Sequence, residues 1–359
     1  MTIASAMIPH SRPSLGGEDV QAAIAVLGSG QLVQGPRVEQ FERAVAAFVG
    51  VQGGVAVSSG TAALELALLV LGVGPGDEVI LPSYVCAAPW LAAIRIGARP
   101  RIVDIDLDTY AIDPVETQKA LSPRTRAIIV PHPFGLAADL AKLQALGVPL
   151  IEDCAQTLGA TVAGRQVGSV GQVAVCSFYA TKLLCTGEGG MLLSNDEVIL
   201  EKARALREYD EEPSLQPASF NYKMTDLQAA LGLSQLGRFT SFLKRRAAIA
   251  AYYHRALGQA GVLCPTVPEG RTHIYYRYVV RLHPSHEVRA SMDALLTRME
   301  CRGVQCRRPV FRALHRYLSL NGYPASEQAS ETALSMPIYP SMTDDEMTHT
   351  AQTLCEELA

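Results

Sequence analysis

The sequence predicts an α/β protein: a large domain on a mainly parallel sheet of roughly seven strands, then a smaller C-terminal α+β domain. Three observations predict it. Seven short apolar runs recur between residues 53 and 194, several of them separated by stretches with helical spacing. The runs are almost continuously apolar, as strands covered on both faces are. Beyond about residue 224 the pattern changes to one long helical stretch and then to shorter mixed elements.

The strands are expected at 53–59 (GGVAVSS), 77–84 (DEVILPSY), 99–106 (RPRIVDID), 126–132 (RAIIVPH), 149–155 (PLIEDCA), 172–179 (QVAVCSFY) and 189–194 (GGMLLS). Helical stretches such as TAALELALLVLG and APWLAAIRIG lie between them, so crossovers would cover both sheet faces. Glycine and proline mark the joins, as in GPGDE and SPRTR. Residues 224–260 read as a long helix with a candidate break at Gly237. The C-terminal part holds a candidate strand pair in YYRYVVRL and a helix in SMDALLTRMECRG. We place the division at residue 240, giving domains 1–240 and 241–359.

Of 359 residues, 48% are hydrophobic and 18% charged, the balance of a globular enzyme-sized chain. A net charge of −4 argues against general nucleic-acid binding, which needs a basic surplus. A few local cations would still hold an anionic small substrate. The eight cysteines form no CxxC pair and several sit in apolar runs, so they read as buried hydrophobes of a reducing compartment. His283 and His286 lie close together near Pro284, but no cysteine or carboxylate cluster completes a metal site. The N-terminus lacks a secretory pattern, and Glu65 and Arg95 interrupt the best apolar runs. The expectation is a cytoplasmic protein with no membrane segment.

Open α/β sheets bind ligands at the carboxyl ends of their strands. Behind the first run come Ser58, Ser59, Gly60, Thr61 and Ala62, leading into a helix. That N-terminus, with a glycine for close approach, suits a phosphate, although alone it suits a simple cap as well. Behind the fifth run come Glu152, Asp153 and Gln156; behind the sixth come Ser177 and Lys182, the latter in SFYATKLLCTGEGG. A phosphate cradle, a carboxylate, an amide and a lysine at successive strand ends fit pyridoxal phosphate. The lysine would form an imine with the aldehyde, and the carboxylate would hold the proton on the pyridine nitrogen.

These residues and their order identify the chain as similar to the DegT/DnrJ/EryC1/StrS aminotransferases, the sugar aminotransferases among fold-type I pyridoxal-phosphate enzymes. The motifs are SSGTAALELAL, GPGDEVILPSY, GARPRIVDID, IEDCAQTLGA, SFYATKLLCTGEGG and NYKMTDLQAALGLSQL, and the likeness covers nearly the whole chain. The resemblance implies a Schiff-base and acid/base role for Lys182, a pyridine-nitrogen partner in Asp153, and Gln156 near the ring hydroxyl. It implies phosphate contacts from Gly60, Thr61, Ala62 and Ser177. Asn221 would reach the phosphate of the neighbouring subunit's cofactor, making the active unit a homodimer with shared sites. Glu188 and His132 match recurrent positions without an assigned step. Three positions depart from the family pattern. Cys86 stands where an aromatic residue stacks on the cofactor ring, leaving Tyr84 or Trp90 as substitutes. Lys223 replaces an arginine, and Cys154 a small alanine.

The reaction implied moves an amino group from an amino acid, glutamate, to a keto group of a nucleotide-linked sugar, with pyridoxamine phosphate as the intermediate cofactor form. A ketocyclitol or another small ketone or aldehyde is the alternative acceptor, which Cys86 and Lys223 favour. A non-catalytic regulatory protein on this fold is a further reading, opposed by the intact set of polar residues. An NAD-linked dehydrogenase is opposed by the lack of GxGxxG, since GVGPGDEV precedes a strand.

Overall fold

The structure, a computed structural model, describes residues 7–209, 218–258, 260–283 and 292–358. Nine strands precede residue 195: β1 (Gly53–Val57), β2 (Glu78–Pro82), β3 (Arg99–Val103), β4 (Thr125–Pro131), β5 (Leu150–Asp153), β6 (Thr161–Val162), β7 (Arg165–Gln166), β8 (Val173–Ser177) and β9 (Gly190–Ser194). Seven of them form one sheet in the order β1-β9-β8-β5-β4-β2-β3, and β6 pairs with β7 as a separate hairpin. Each expected run matches one of those seven strands, with β4 starting one residue before its run. Only β9 runs antiparallel to its neighbours, so the carboxyl ends of the other six open on one edge.

The apolar runs become strands because helices cover both faces. On one face α1 (Gly17–Ser29) and α2 (Pro36–Val49) pack with the long helix Asp226–Leu257. On the other lie α3 (Gly60–Val70) and α4 (Ala88–Arg95), whose apolar residues join Val55, Val57, Val79 and Leu81. The long helix starts at a capping box, where Thr225 accepts from Gln228 N–H and Gln228 bonds back to Thr225. The expected break at Gly237 is absent: the helix is continuous. A helical glycine costs about 1 kcal/mol relative to alanine, less than the burial of Phe239 and Phe242 returns at about 1.5–3 kcal/mol each. Gly232 has a steric task, because a Cβ there would stand 2.6 Å from the Phe41 ring.

The C-terminal part carries a second sheet of β10 (Val262–Leu263), β11 (Tyr278–Leu282) and β12 (Ala333–Met336), with β11 central. YYRYVVRL therefore supplies one strand and not a pair, since no turn interrupts it. SMDALLTRMECRG holds the helix Met292–Cys301. Phe239 and Phe242 belong to the large-sheet core, whereas Ile249, Ala250, Tyr253 and Leu257 belong to the second core. We propose the change of core along this helix as the domain division; Ile8, far upstream, packs in the second core. No helix among the described residues is long and apolar enough to cross a membrane. His286 lies outside the described residues.

Candidate active site

The cleft is built at the carboxyl edge of the main sheet, where α3 begins. Ser59 caps the helix, its Oγ accepting the Ala62 N–H at 3.1 Å. That bond occupies Ala62, so the first-turn groups open to a ligand are the Gly60 and Thr61 N–H groups and the Thr61 hydroxyl. Gly60 lies directly against Ser177: a Cβ on residue 60 would stand 2.7 Å from the Ser177 Cβ. Two elements thus bring a hydroxyl and a helix N-terminus to one spot, an arrangement suited to an anion. Gly190 closes the back of this cradle, because a Cβ there would stand 2.2 Å from the Ser59 carbonyl oxygen. The glycine-rich patch after Lys182 is therefore a steric requirement of the cradle.

Lys182 sits in the excursion between β8 and β9. Backbone bonds from Phe178 to Gly189, Ala180 to Gly187 and Thr186 to Phe178 pin the two arms, and Lys182 N–H donates to Tyr179 at 2.8 Å. Phe178 anchors the loop, fully buried and edge-on to Phe41 at 4.9 Å. The Lys182 ammonium lies 5.1 Å from the ring centre of Tyr276, within cation–π range.

Asp153 ends β5 and is 8% exposed. Its Oδ1 accepts the Ala155 N–H at 3.0 Å, and no other hydrogen bond to the carboxylate occurs among the described residues. Burial raises its pKa, opposed by the Ala155 N–H, Lys182 and His132 in that order. A buried carboxylate with one oxygen uncommitted is suited to a cationic N–H donor. Cys86 keeps a solvent-exposed surface. Its thiol is pushed up by burial first and by Asp153 next, with Lys182 acting oppositely. Cys86, Asp153 and Lys182 therefore share one electrostatic space. Gln156 accepts the Phe134 N–H through Oε1 at 2.9 Å, which leaves its NH₂ group to donate. These residues fit a phosphorylated aldehyde cofactor: a cradle that a Cβ would fill, an amine, a carboxylate and an amide donor around one cleft.

Several expectations are resolved differently. Tyr84 does not substitute for a stacking ring at Cys86. It is buried beside Ile105 and Val279, stacked on Tyr110 at 5.9 Å, with its hydroxyl donating to Ala329. Trp90 packs against the α3–α4 core. The aromatic ring that does meet Lys182 is Tyr276, which sequence reading missed because it lies 94 residues downstream in a segment read only as strand. His132 is fully engaged: Nδ1 accepts the Ala138 N–H at 3.0 Å, so Nε2 is the donor to Glu152 at 3.1 Å. Glu152, 0% exposed, also accepts from Gly168, Val170 and Gly171. His132, Glu152 and Cys154 come close enough for a metal, but both imidazole nitrogens are already spent. Cys154 is a packing residue of the core. Lys223 pairs with Glu208 at 3.6 Å and its backbone bridges Val57. Asn221 is exposed on that same flank, at the sheet edge next to β1, its Oδ1 accepting the Lys223 N–H at 3.4 Å. Glu188 is exposed and contributes its backbone carbonyl, which accepts from Gln228 at 3.0 Å.

The fold and this cleft define a pyridoxal-phosphate-dependent aminotransferase of fold type I. The chain belongs to the DegT/DnrJ/EryC1/StrS aminotransferase family, whose model matches residues 13–355. It is 37% identical to the spore coat polysaccharide biosynthesis protein SpsC of Bacillus subtilis (strain 168), across 95% of this chain and 94% of that protein. Among solved structures it is similar to the aminotransferase TlmJ from Streptoalloteichus hindustanus. That likeness has a TM-score of 0.91 and 35% identity over 98% of this chain and 99% of TlmJ. It is also similar to Spr1654 from Streptococcus pneumoniae, known in its PLP form. There the TM-score is 0.91 and the identity 25%, covering 98% of this chain and 100% of Spr1654. Family membership sets aside the dehydrogenase reading.

Proposed function

We propose that this aminotransferase moves an amino group from glutamate to the keto group of a nucleotide-linked sugar, with its cofactor alternating between pyridoxal and pyridoxamine phosphate. The observation that carries the reading is the Gly60–Ser177 cradle, with Asp153 at the end of the neighbouring strand β5 and Lys182 on the loop that follows Ser177. When bound, the cofactor supplies a carbonyl carbon to carry nitrogen and a protonated ring to withdraw electrons. Gly60, Thr61 and Ser177 would hold its phosphate, and Asp153 would keep the proton on its ring nitrogen. Lys182, fixed on a pinned loop, takes the proton from the donor α-carbon and returns it to the acceptor carbon in the reverse half. The polysaccharide role in the name of SpsC supports a sugar acceptor. We place the enzyme in the cytoplasm as a homodimer, with Asn221 reaching the partner's cofactor phosphate from the exposed flank.

The alternative acceptor, a ketocyclitol or small ketone, is favoured by Cys86, whose side chain is smaller than the ring expected at that position. A substrate screen separates the two. Glutamate-loaded enzyme is mixed with keto-sugar nucleotides and ketocyclitols, and the return of the pyridoxal absorbance is followed. Response to keto-sugar nucleotides alone supports the proposal; response only to ketocyclitols overturns it.

A further inference from the structure

We infer that His315 is a positioning residue of the active site: through Ser83 it fixes the end of β2 and the short segment that leads from there to Cys86. Ser83 is the first residue beyond β2, at the carboxyl edge of the main sheet. β2 and β5, the strand that ends in Asp153, flank β4 at that edge. His315 belongs to the C-terminal part, on the short helix Leu314–Tyr317, 232 residues away.

The two residues are joined by a buried relay. His315 Nε2 lies 2.7 Å from a carboxylate oxygen of Glu327. Arg316 donates to that carboxylate through Nε at 2.9 Å and Nη2 at 2.6 Å. Arg316 first and His315 next bring Glu327 down to about 2, so the carboxylate only accepts. Nε2 therefore carries the imidazole proton, and Nδ1 accepts the Ser83 hydroxyl at 2.6 Å. Ser83 Oγ in turn accepts the His315 backbone N–H at 3.3 Å, and Tyr323 stacks on the imidazole at 5.3 Å. Serine, histidine and carboxylate in line resemble a hydrolytic triad, but Ser83 is 0% exposed, so no substrate reaches its hydroxyl. A buried relay with both ring nitrogens and the hydroxyl engaged fixes one geometry instead.

The same C-terminal segment also takes the end of the adjoining strand. Asp104, directly after β3, accepts the Ala325 and Ser326 N–H groups at 2.8 and 2.9 Å and the Ser326 hydroxyl at 2.6 Å. The Leu314 N–H donates to the Ser83 carbonyl at 2.8 Å, and the Tyr84 hydroxyl donates to Ala329 at 3.3 Å. Residues 314–329 thus hold two neighbouring strand ends at the edge where the site lies. Ser83, Tyr84 and Val85 are buried and Cys86 is exposed, so the chain between the anchor and the thiol has little slack. Displacing a group at a site by about 1 Å can cost about a hundredfold in function.

The test follows iodoacetamide labelling of Cys86, assigned by mass spectrometry, in the holoenzyme and in the cofactor-free protein. Titration with pyridoxal phosphate and circular dichroism run beside it. Bound cofactor should slow labelling of the parent at least about threefold. Ser83→Ala and His315→Gln should each bind the cofactor about ten- to a hundredfold more weakly and lose that protection. The glutamine amide still reaches Glu327 but not Ser83. His315→Asn, whose amide oxygen takes the place of Nδ1, should restore both readouts to within about threefold of the parent. Parental labelling and affinity in folded Ser83→Ala and His315→Gln proteins, with only a lowered melting temperature, would make His315 structural and overturn the proposal. So would a His315→Asn protein no better than His315→Gln, or a parent whose Cys86 the cofactor leaves unprotected. Should His315→Gln fail to fold, Ser83→Ala decides. No donor or acceptor enters these measurements, so a failure of the proposed function leaves their outcome unchanged.

Discussion

Gly60 and Ser177 touch so closely that a side chain on residue 60 would stand 2.7 Å from the serine Cβ, and this contact joins the N-terminus of a helix to the end of a strand. Gly60→Ala must push one element away, so it should lower cofactor affinity at least about tenfold, more than Ser177→Ala, which removes a single charge-assisted hydrogen bond. Titration of the cofactor-free protein measures both, with circular dichroism to show that each variant folds. Equal affinity of Gly60→Ala and the parent would refute the cradle.

Lys182→Ala should abolish turnover and covalent trapping of the cofactor by borohydride while leaving the fold intact, since the loop is held by backbone bonds. Asp153→Asn keeps an acceptor for the Ala155 N–H but loses the charge, so turnover should fall about a hundredfold or more with little change in stability. Steady-state kinetics beside thermal melts separates these effects.

Tyr276 should titrate unusually low. Burial alone raises a phenol, but Lys182 and Arg277 outweigh it and bring this one down from 10.0 to about 8. Ultraviolet phenolate absorbance of the cofactor-free protein should show a transition near there that Tyr276→Phe removes and Lys182→Ala shifts upward. The folded value is depressed, so this group adds stability as pH rises from about 8 to 10.

Glu152 should dominate the acid limb of stability. Burial raises its pKa, yet His132 and the Gly168 and Gly171 N–H groups bring the net value below 4.5. Its contribution is complete above 4.5 and is lost as pH falls through the lowered folded value. Glu152→Ala strands His132 and three N–H donors, which should cost about 3–5 kcal/mol in urea unfolding at neutral pH.

Asn221 tests the shared site. Mixed dimers of Lys182→Ala and Asn221→Ala chains should recover activity if Asn221 serves its neighbour, because one site then carries both lesions and the other neither. Activity no higher than that of the Asn221→Ala homodimer would place Asn221 in its own chain's site.

The continuous apolar runs of all seven main-sheet strands were legible because a strand covered on both faces needs no alternation. The strand ends were legible too, and so were Gly60, Asp153, Gln156, Ser177 and Lys182, each within a few residues of its run. Gly237 misled, because local propensity was outweighed by the packing of neighbours in the same helix. Tyr84 misled because sequence proximity to Cys86 says nothing about which way a ring points.

By itself the sequence determined the order of strands and helices, and the residues at each strand end, since periodicity and turn chemistry are local. Only the tertiary structure decided that Tyr276 would face Lys182, that Gly190 would back the cradle, and that His10, Arg277 and Arg307 would line one cavity. Those contacts join residues whose separation along the chain carries no signal, and they are fixed by how the two cores pack.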